Sequence, residues 1–384
     1  MAHRRAAGLL RRLKETEAEP QSGRCVIRDG KRLLNLAGND YLGLSQHPRL
    51  KQAACEAIAR FGTGAGASRL VSGHSALHAQ VEAQFAAFKH AQAALICPTG
   101  YMANLAAVTA LAGPGDLVCI DKLSHASLID AAFASGATVR VFPHLNVEKL
   151  ERILSRGRES KHRFILTDSV FSMDGDVTDL PSLCSLAEEY GAMLIVDEAH
   201  GTGVLGENGA GLCEAQGVSE RVDVVISTAS KAMGGLGGII TSKQVIIDTI
   251  VNHARAFIYT TAVPAGQVAA IGAAIDVIRE EPQRRRRLKE ITRQVRGQLA
   301  AWNLLPSCEA ASGGIITPIV PLITGSAESA LSLENHLASR GILAPAIRPP
   351  TVAPGSSRVR ISLRADMTEQ EVSTLIEALR ERPA

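Results

Sequence analysis

The chain has 384 residues, of which 46% are hydrophobic and 21% charged, and its 41 Lys and Arg against 38 Asp and Glu give a formal charge of +3. At about 150 residues per domain this length excludes one small domain, and the composition excludes an intrinsically disordered chain. The balanced charge excludes a polyanion partner over the whole surface, and an aromatic share of 3% argues against a base-stacking surface for nucleic acid.

The seven cysteines are odd in number, widely scattered and never in a CxxC pair. This pattern favours reduced thiols over a disulfide framework or a zinc site, and no other metal site is expected. The amino terminus, MAHRRAAGLLRRLKE, has a two-leucine apolar run that is too short for a signal peptide, and no stretch approaches the roughly 18 apolar residues of a membrane span. These features predict a soluble cytoplasmic protein without a membrane or nucleic-acid partner.

Residues 1–45 are predicted to form an extension to a larger domain. It begins with a basic amphipathic helix around Arg4 to Lys14, followed by a β-hairpin over residues 25–35. The helix has two interpretations, a solvated surface helix or a binding element for an anionic ligand.

Residues 46–300 are predicted to form a large α/β domain. Between residues 75 and 242 apolar runs alternate with helix-period segments, which indicates a mostly parallel seven-stranded sheet covered by helices. The predicted strands are 93–97, 117–120, 139–142, 164–167, 193–196, 222–226 and 238–241. Helices follow over residues 265–279 and 284–301, with a break at Glu281-Pro282. The four arginines at 284–287 form either a solvated helix start or a partner contact.

Residues 301–384 are predicted to form a small α+β domain. Its expected elements are a strand over 316–323, a helix over 327–339, strands over 343–347 and 358–363, and a last helix over 369–380. The chain contains no internal repeat and no low-complexity segment.

Polar groups stand at the carboxyl ends of several predicted strands, where parallel sheets bind ligands. Lys231 follows the strand VDVVIS and precedes a glycine-rich turn, while Asp197 ends the strand AMLIV, three residues before His200. The Gly100 turn offers free amides to a phosphate, and His125 follows the next strand. Taken singly, Lys231 is also consistent with an ordinary loop lysine, and Asp197 with a structural ion pair or a metal site. His125 is also consistent with a structural histidine.

Their occurrence together points to one cofactor. Pyridoxal 5′-phosphate has a phosphate, a flat ring, a basic ring nitrogen and an aldehyde, and these would use the Gly100 turn, His125, Asp197 and Lys231 respectively. A protonated pyridine stabilises a carbanion at the Cα of an amino acid, and Lys231 is placed to act there as a general base.

Several sequence runs resemble the α-oxoamine synthases, a family of fold-type I pyridoxal-phosphate enzymes that join an amino acid to an acyl thioester with loss of CO2. The matching runs are NDYLGLS (39–45), TGAGASRLVSGH (63–74), the Gly100-Tyr101 turn, LSHASL (123–128), VFSMDGD (170–176), VDEAHGTGVLG (196–206), the Lys231 loop and IRPPTVAPGSSRVRISL (347–363). They span nearly the whole chain in the order that the family has. The run IRPPTV is similar to the biotin-pathway members, which condense L-alanine with a pimeloyl thioester.

The resemblance implies a role for each matching position. Lys231 would be the Schiff-base lysine, Asp197 the partner of the pyridinium, His200 the donor to the phenolic oxygen, and His125 the ring that stacks on the cofactor and also faces the substrate. Further cofactor contacts would come from Gly100, Tyr101, Ser172 and Thr228, and, from a second subunit, Thr260 and Thr261. Substrate contacts would come from Arg11, Asn39, Thr351 and Arg360, the last holding the amino acid's carboxylate.

The contribution from a second subunit implies a homodimer. The thioester could be carried by coenzyme A or by an acyl carrier protein. The sequence departs from the family in the loop SKAMGGLGG and in PPTVAPG, which leaves the acyl-chain preference open.

Alternative functions remain. Sister enzymes use glycine with acetyl-CoA or succinyl-CoA, as in glycine C-acetyltransferase and 5-aminolevulinate synthase, or serine with a long acyl chain. A non-catalytic scaffold subunit of the same fold is a different class, disfavoured by the complete set of Lys231, Asp197, His200 and His125. A nucleotide-dependent oxidoreductase is disfavoured because GTGAG at 62–66 does not follow a convincing strand.

Overall fold

The computed structural model of the protein describes residues 13–20, 23–305 and 314–383. Residues 1–12 lie outside this range, so the predicted helix around Arg4 and the predicted substrate residue Arg11 are not placed. The described residues form two compact units. The first contains the chain up to Gln46, Ser172–Asp176 and the chain from Gln283 onward, and the second contains His47–Phe171 and Val177–Pro282.

The elements of both units are numbered along the chain. The strands are β1 (Glu17–Ala18), β2 (Cys25–Arg28), β3 (Lys31–Asn35), β4 (Ala93–Cys97), β5 (Leu117–Asp121), β6 (Thr138–Phe142), β7 (Arg163–Asp168), β8 (Ala192–Asp197), β9 (Val224–Thr228), β10 (Gly238–Ser242), β11 (Ile319–Gly325), β12 (Ile342–Leu343), β13 (Ala346–Ile347) and β14 (Ser357–Ser362). The α-helices are α1 (Pro48–Phe61), α2 (Ala76–Phe88), α3 (Gly100–Leu111), α4 (Ala126–Ala134), α5 (Val147–Arg156), α6 (Leu180–Tyr190), α7 (Leu212–Ala215), α8 (Gln244–His253), α9 (Arg255–Ile258), α10 (Ala265–Glu280), α11 (Pro282–Ala301), α12 (Ala327–Ser339) and α13 (Glu369–Arg380).

The second unit is built on a seven-stranded sheet with the order β4-β10-β9-β8-β7-β5-β6. The strands from β9 to β6 are parallel, whereas β10 pairs antiparallel with both β4 and β9. Every residue of β4, β5, β9 and β10 is buried, which explains their continuous apolar runs, since helices cover both faces of such a sheet. The predicted mostly parallel seven-stranded fold is confirmed.

Small residues bring one helix close to this sheet. Ala103, Ala106 and Ala107 of α3 are fully buried in the core formed with the strands. A Cβ at Gly238, the first residue of β10, would overlap the carbonyl oxygen of Thr99. Glycine at this position therefore lets the amino end of α3 approach the carboxyl end of β9.

The first unit contains two small sheets, with the orders β1-β2-β3-β12 and β11-β14-β13. The predicted hairpin is present as β2 and β3, but β3 pairs in parallel with β12 from the carboxyl-terminal part of the chain. The described parts of the predicted extension (1–45) and of the predicted small domain (301–384) therefore lie in one compact unit.

The helix α11 also belongs to this first unit, not to the predicted large domain. Its buried Arg296 donates hydrogen bonds to the carbonyl oxygens of Thr317 and Ile319. Two predicted strands differ in their bounds. The strand expected over 316–323 is found at Ile319–Gly325, and the one expected over 343–347 is split around Pro345, which has no N–H to donate, into β12 and β13.

Among the described residues, no helix combines the length and apolarity needed to cross a membrane. The six described cysteines are all free.

Candidate active site

A cavity of about 270 Å³ in the second unit collects most of the predicted cofactor residues. It lies at the carboxyl ends of β7, β8 and β9 and at the amino ends of α3 and α4. The predicted residues that line it are Gly100, Tyr101, His125, Asp197, His200, Thr228 and Lys231. Strand ends that are far apart in the sequence are thus brought together by the parallel sheet, as the sequence predicted.

Lys231 lies in the loop after β9, with its Nζ 2.7 Å from Nε2 of His200. Hydrogen bonds at the base of the loop fix its path. The hydroxyl of Thr228 donates to the carbonyl of Gly237 at 3.0 Å, and the N–H of Ala229 donates to the same carbonyl at 2.8 Å. Gly237 has φ +140°, a conformation that favours glycine. The amine is therefore carried by a closed, anchored loop.

Asp197 is the last residue of β8 and is only 6% exposed. Its Oδ2 accepts a hydrogen bond from Nδ2 of Asn104 at 2.7 Å, and its Oδ1 accepts one from the N–H of Ala199 at 2.8 Å. Both donors are neutral, so they orient the carboxylate without cancelling its charge. Such a carboxylate in a cavity wall can pair with a cationic ring nitrogen.

His125 is the residue that precedes α4, and its ring caps that helix. Its Nδ1 accepts the N–H of Ser127 at 3.3 Å and lies 2.7 Å from Oγ of Ser127. The backbone N–H of His125 donates to both carboxyl oxygens of Asp168 at 3.2 Å. Burial lowers the pKa of His125, against the opposing effect of the nearby Asp197 charge. A neutral imidazole can lie flat against a cofactor ring.

Asp168, at the end of β7, is a site residue that the sequence interpretation missed. It is paired in register with Asp197 and also lines the cavity. Burial, followed by the charge of Asp197, raises the pKa of Asp168 well above its ordinary range. The signal that could have revealed it is a carboxylate directly after the apolar run RFILT, the same pattern that identified Asp197.

The amino end of α3 provides the anion-binding part of the cavity. The side chain of Thr99 caps this helix by accepting the N–H of Met102. The first N–H groups of a helix, here those of Gly100 and Tyr101, have no partner within the helix and carry its positive dipole end. A Cβ at Gly100 would come within 3.4 Å of the Thr228 side chain, so glycine keeps space between the two.

A buried ion pair next to the cavity was also missed. Glu198 is fully buried, and its carboxylate contacts Nζ of Lys89 and accepts the N–H of Cys213 at 2.7 Å. Lys89 also donates to the hydroxyl of Thr202 at 3.2 Å. The two charged residues are 109 positions apart, and no local pattern in the sequence connects them. The pair anchors the loop that follows β8.

Three predicted cofactor residues do not line the cavity. Ser172 belongs to the first unit. Thr260 and Thr261 follow α9 in the second unit, where Thr260 Oγ1 lies 3.9 Å from the sulfur of Met102 and Thr261 is exposed. Their assignments remain predictions.

The predicted substrate residue Arg360 is held rigidly within the first unit. It lies on β14 and is 6% exposed, and its Nη2 donates to Oδ1 of Asn39 at 2.9 Å and to the hydroxyl of Tyr41 at 3.3 Å. Burial raises the pKa of Tyr41 to about 12, so the phenol stays protonated and donates to the same Asn39 oxygen at 3.1 Å. The Nε of Arg360 is buried and has no hydrogen-bond partner within residues 13–20, 23–305 and 314–383. Thr351 lies after β13 and is exposed.

The groups around the cavity fit pyridoxal phosphate chemically. An amine, a buried carboxylate, an imidazole and a helix amino end are the partners that an aldehyde, a ring nitrogen, an aromatic face and a phosphate require. The family model "Aminotransferase class I and II" matches residues 31–379 of the chain. The chain belongs to this family.

Within the class I and II aminotransferase family, the chain is similar over nearly its full length to 8-amino-7-oxononanoate synthases. The one from Geotalea daltonii is 43% identical over 380 residues, which cover 98% of this chain and 94% of the relative. The one from Geobacter sulfurreducens is 41% identical over 376 residues, covering 98% and 94%.

Solved structures of related enzymes are also similar to this chain. A serine palmitoyltransferase variant of S. paucimobilis with a bound PLP–myriocin aldimine superposes with a TM-score of 0.90 at 29% identity, covering 99% of this chain and 94% of that one. The 8-amino-7-oxononanoate synthase of Francisella tularensis superposes with a TM-score of 0.77 at 28% identity, covering 90% and 96%. The fold-type I architecture, the resemblance to α-oxoamine synthases and pyridoxal phosphate as the cofactor are confirmed.

Proposed function

We propose that the protein is an 8-amino-7-oxononanoate synthase, which condenses L-alanine with a pimeloyl thioester and releases CO2. The observation that carries the reaction type is the single cavity that holds Lys231, Asp197 and His125. The choice of substrates is supported by the relatives, whose shared name over nearly the full chain is that of the enzyme forming 8-amino-7-oxononanoate.

Pyridoxal phosphate, when bound, supplies an electron sink that stabilises negative charge on the amino acid's Cα. Lys231 would hold it through Nζ, and the N–H groups of Gly100 and Tyr101 would bind its phosphate. Asp197, oriented by neutral donors, would keep the ring nitrogen protonated. His125 would cover one face of the ring.

Two residues would handle protons at this site. Lys231 would remove the proton from Cα and return it, because its loop holds the amine in the cavity. His200, 2.7 Å from that amine, would donate to the phenolic oxygen of the cofactor. Holding the reacting groups in place in this way converts encounters between separate molecules into steps within one complex.

Arg360 would bind the carboxylate of L-alanine. Its guanidinium is buried and held by Asn39 and Tyr41, and its Nε, which has no partner in the part of the chain that the structure describes, offers a further donor. A fixed guanidinium can bind a carboxylate with two parallel hydrogen bonds and would so fix the orientation of the amino acid. Arg11, Asn39 and Thr351 would complete the substrate contacts.

We further propose a homodimer in which Thr260 and Thr261 reach the phosphate of the partner's cofactor, and in which Ser172 adds a cofactor contact. The support for these assignments is the resemblance of IYTTAVP and VFSMDGD to the corresponding family segments. Sedimentation of the purified protein tests the dimer, and a monomer with full activity would contradict it.

A substrate matrix tests the proposed function. Purified protein with pyridoxal phosphate is given L-alanine, glycine or L-serine, each with pimeloyl, acetyl, succinyl or palmitoyl-CoA, and the ketone product is identified by mass spectrometry. We expect the alanine and pimeloyl pair to give the highest kcat/KM. A strong preference for glycine or serine would show a sister synthase. No product from any pair, with either coenzyme A or acyl carrier protein as the carrier, by a protein that binds the cofactor would show a scaffold.

The carrier of the thioester needs a second comparison. Pimeloyl-CoA and pimeloyl-acyl carrier protein are compared as donors with L-alanine saturating. The donor with the higher kcat/KM identifies the carrier.

A further inference from the structure

A series of hydrogen bonds links the carboxylate of Asp197 to the imidazole of His125. Asn104 on α3 donates from Nδ2 to Oδ2 of Asp197 at 2.7 Å and to Oγ of Ser127 at 2.8 Å. Ser127 Oγ lies 2.7 Å from Nδ1 of His125, and the backbone N–H of His125 donates to Asp168. Asp168 and Asp197 are neighbours in register on β7 and β8.

The direction of each hydrogen bond follows from the chemistry of the groups. A carboxylate only accepts, so the Nδ2 side of Asn104 must face Asp197. Its second N–H is donated to Ser127 Oγ, which leaves the hydroxyl hydrogen of Ser127 to be donated to Nδ1 of His125. The N–H of Ser127 also points at this nitrogen, at 3.3 Å. Nδ1 of His125 is therefore an acceptor, and the ring proton belongs on Nε2.

Asn104 and Ser127, the two relay residues that link His125 to Asp197, lie in the core. Asn104 is 1% exposed and Ser127 is fully buried. The Oδ1 of Asn104 is buried without a hydrogen-bond partner among the described residues. An unmade hydrogen bond of a buried group is costly. The Asn104 amide is thus held through the two hydrogen bonds that its Nδ2 donates. A nonpolar residue at this position would avoid the cost of the unpaired Oδ1.

We propose that Ser127 and Asn104 are positioning residues that hold His125 as the neutral tautomer with its proton on Nε2 and link it to Asp197. The proposal rests on the proposed function only in placing His125 over the cofactor ring. An imidazolium there would put a second positive charge against a protonated ring nitrogen and weaken the electron sink. A neutral imidazole covers the ring without that repulsion.

The charged groups that face His125 do not by themselves fix its protonation. These titratable groups are Asp168 on β7, Asp197 on β8, Lys231 in the loop after β9 and Asp130 on α4, the helix that His125 caps. Asp197 and Asp130 favour the imidazolium and Lys231 opposes it, while burial lowers the pKa of His125. Protonation of Nδ1 would in addition break the two hydrogen bonds that it accepts from Ser127. This added cost of forming the imidazolium is what Ser127 and Asn104 supply.

The test reads the tautomer directly. Full-length protein labelled with 15N-histidine is studied by NMR, with and without pyridoxal phosphate, and His125 is assigned by loss of its signals in His125→Gln. We expect neutral His125 with the proton on Nε2. In Ser127→Ala the balance should shift about fivefold toward the Nδ1–H and protonated forms, the equivalent of one lost hydrogen bond. The matched control is Ser135→Ala at the end of the same helix, which should leave His125 unchanged.

A second variant keeps the test valid if Ser127→Ala folds poorly. Asn104→Ala breaks the relay one bond further from His125, and thermal melting of each variant is measured alongside. Both variants should shift His125 in the same direction. An Nδ1–H tautomer in the wild type, or an unchanged His125 in a folded Ser127→Ala or Asn104→Ala, would overturn the proposal. Since cofactor-free protein gives the same readout, failure of the proposed condensation would be seen separately, in the product assay.

Discussion

Replacing Asp197 with asparagine tests the carboxylate that is assigned to the ring nitrogen. Asparagine has almost the same shape, and its Oδ1 can still accept the N–H of Ala199, so the change removes mainly the charge. The new Nδ2 takes the place of Oδ2, which accepts a hydrogen bond from Nδ2 of Asn104, so the Asn104 amide must turn to present its Oδ1.

The size of the effect follows from Coulomb's law. Two unit charges about 4 Å apart interact by about 4 kcal/mol at an effective dielectric constant of about 20. At about 1.4 kcal/mol per pKa unit, the pKa of the ring nitrogen should fall by about three units in Asp197→Asn. A rate that depends on the protonated ring should then fall about 1000-fold.

The assay measures kcat for the condensation with saturating L-alanine, together with the absorbance of the bound cofactor between pH 6 and 9. The matched control is Asp223→Asn, which precedes β9 at the opposite end of the sheet, where the carboxylate accepts the N–H of Leu194 at 2.9 Å. The control should keep wild-type activity. A folded Asp197→Asn that retained kcat within about tenfold of the wild type would refute the assigned role.

Three further predictions concern stability. Gly238→Ala should destabilise the fold by about 1–3 kcal/mol and weaken cofactor binding, because its Cβ overlaps the start of α3. Its control, Gly297→Ala, lies in open space on α11 and should stabilise the fold by about 1 kcal/mol. Urea unfolding measures the stability of both variants, and cofactor titration measures binding. Lys89→Met should cost about 3–5 kcal/mol by leaving Glu198 buried without its cation, and a change under about 1 kcal/mol would contradict this. Burial lowers the pKa of His78 from 6.5 to about 4, so the unfolded chain binds the proton more readily, and stability should fall as pH drops from 6.5 to 4. His78→Gln should show a smaller loss over that range.

The sheet and the main cavity residues could be predicted from the sequence because their signals are local. A buried parallel strand is a continuous apolar run, and the residue that ends it is visible in the same segment, as with Asp197. The antiparallel direction of β10 could not be predicted, since a fully buried strand has the same pattern in either direction. The pairing of β3 with β12 joins segments about 300 residues apart, so the extension was expected to stand separately.

The missed residues of the site share a different cause. Asn104 and Ser127 lie on helices beside predicted residues, and their importance depends on a contact between α3 and α4 that no spacing in the sequence reveals. The partner of Glu198, Lys89, is likewise defined only by the fold. Hydrogen bonds and ion pairs between elements are set by tertiary packing, whereas strand ends are set by local pattern.

The covalent position of the cofactor tests the central claim most directly. Purified protein is incubated with pyridoxal phosphate, reduced with borohydride and digested, and the modified lysine is identified by mass spectrometry. We predict that the pyridoxyl group is found on Lys231, with none in Lys231→Ala. Modification of a different lysine in the wild type, or none at all, would contradict the account.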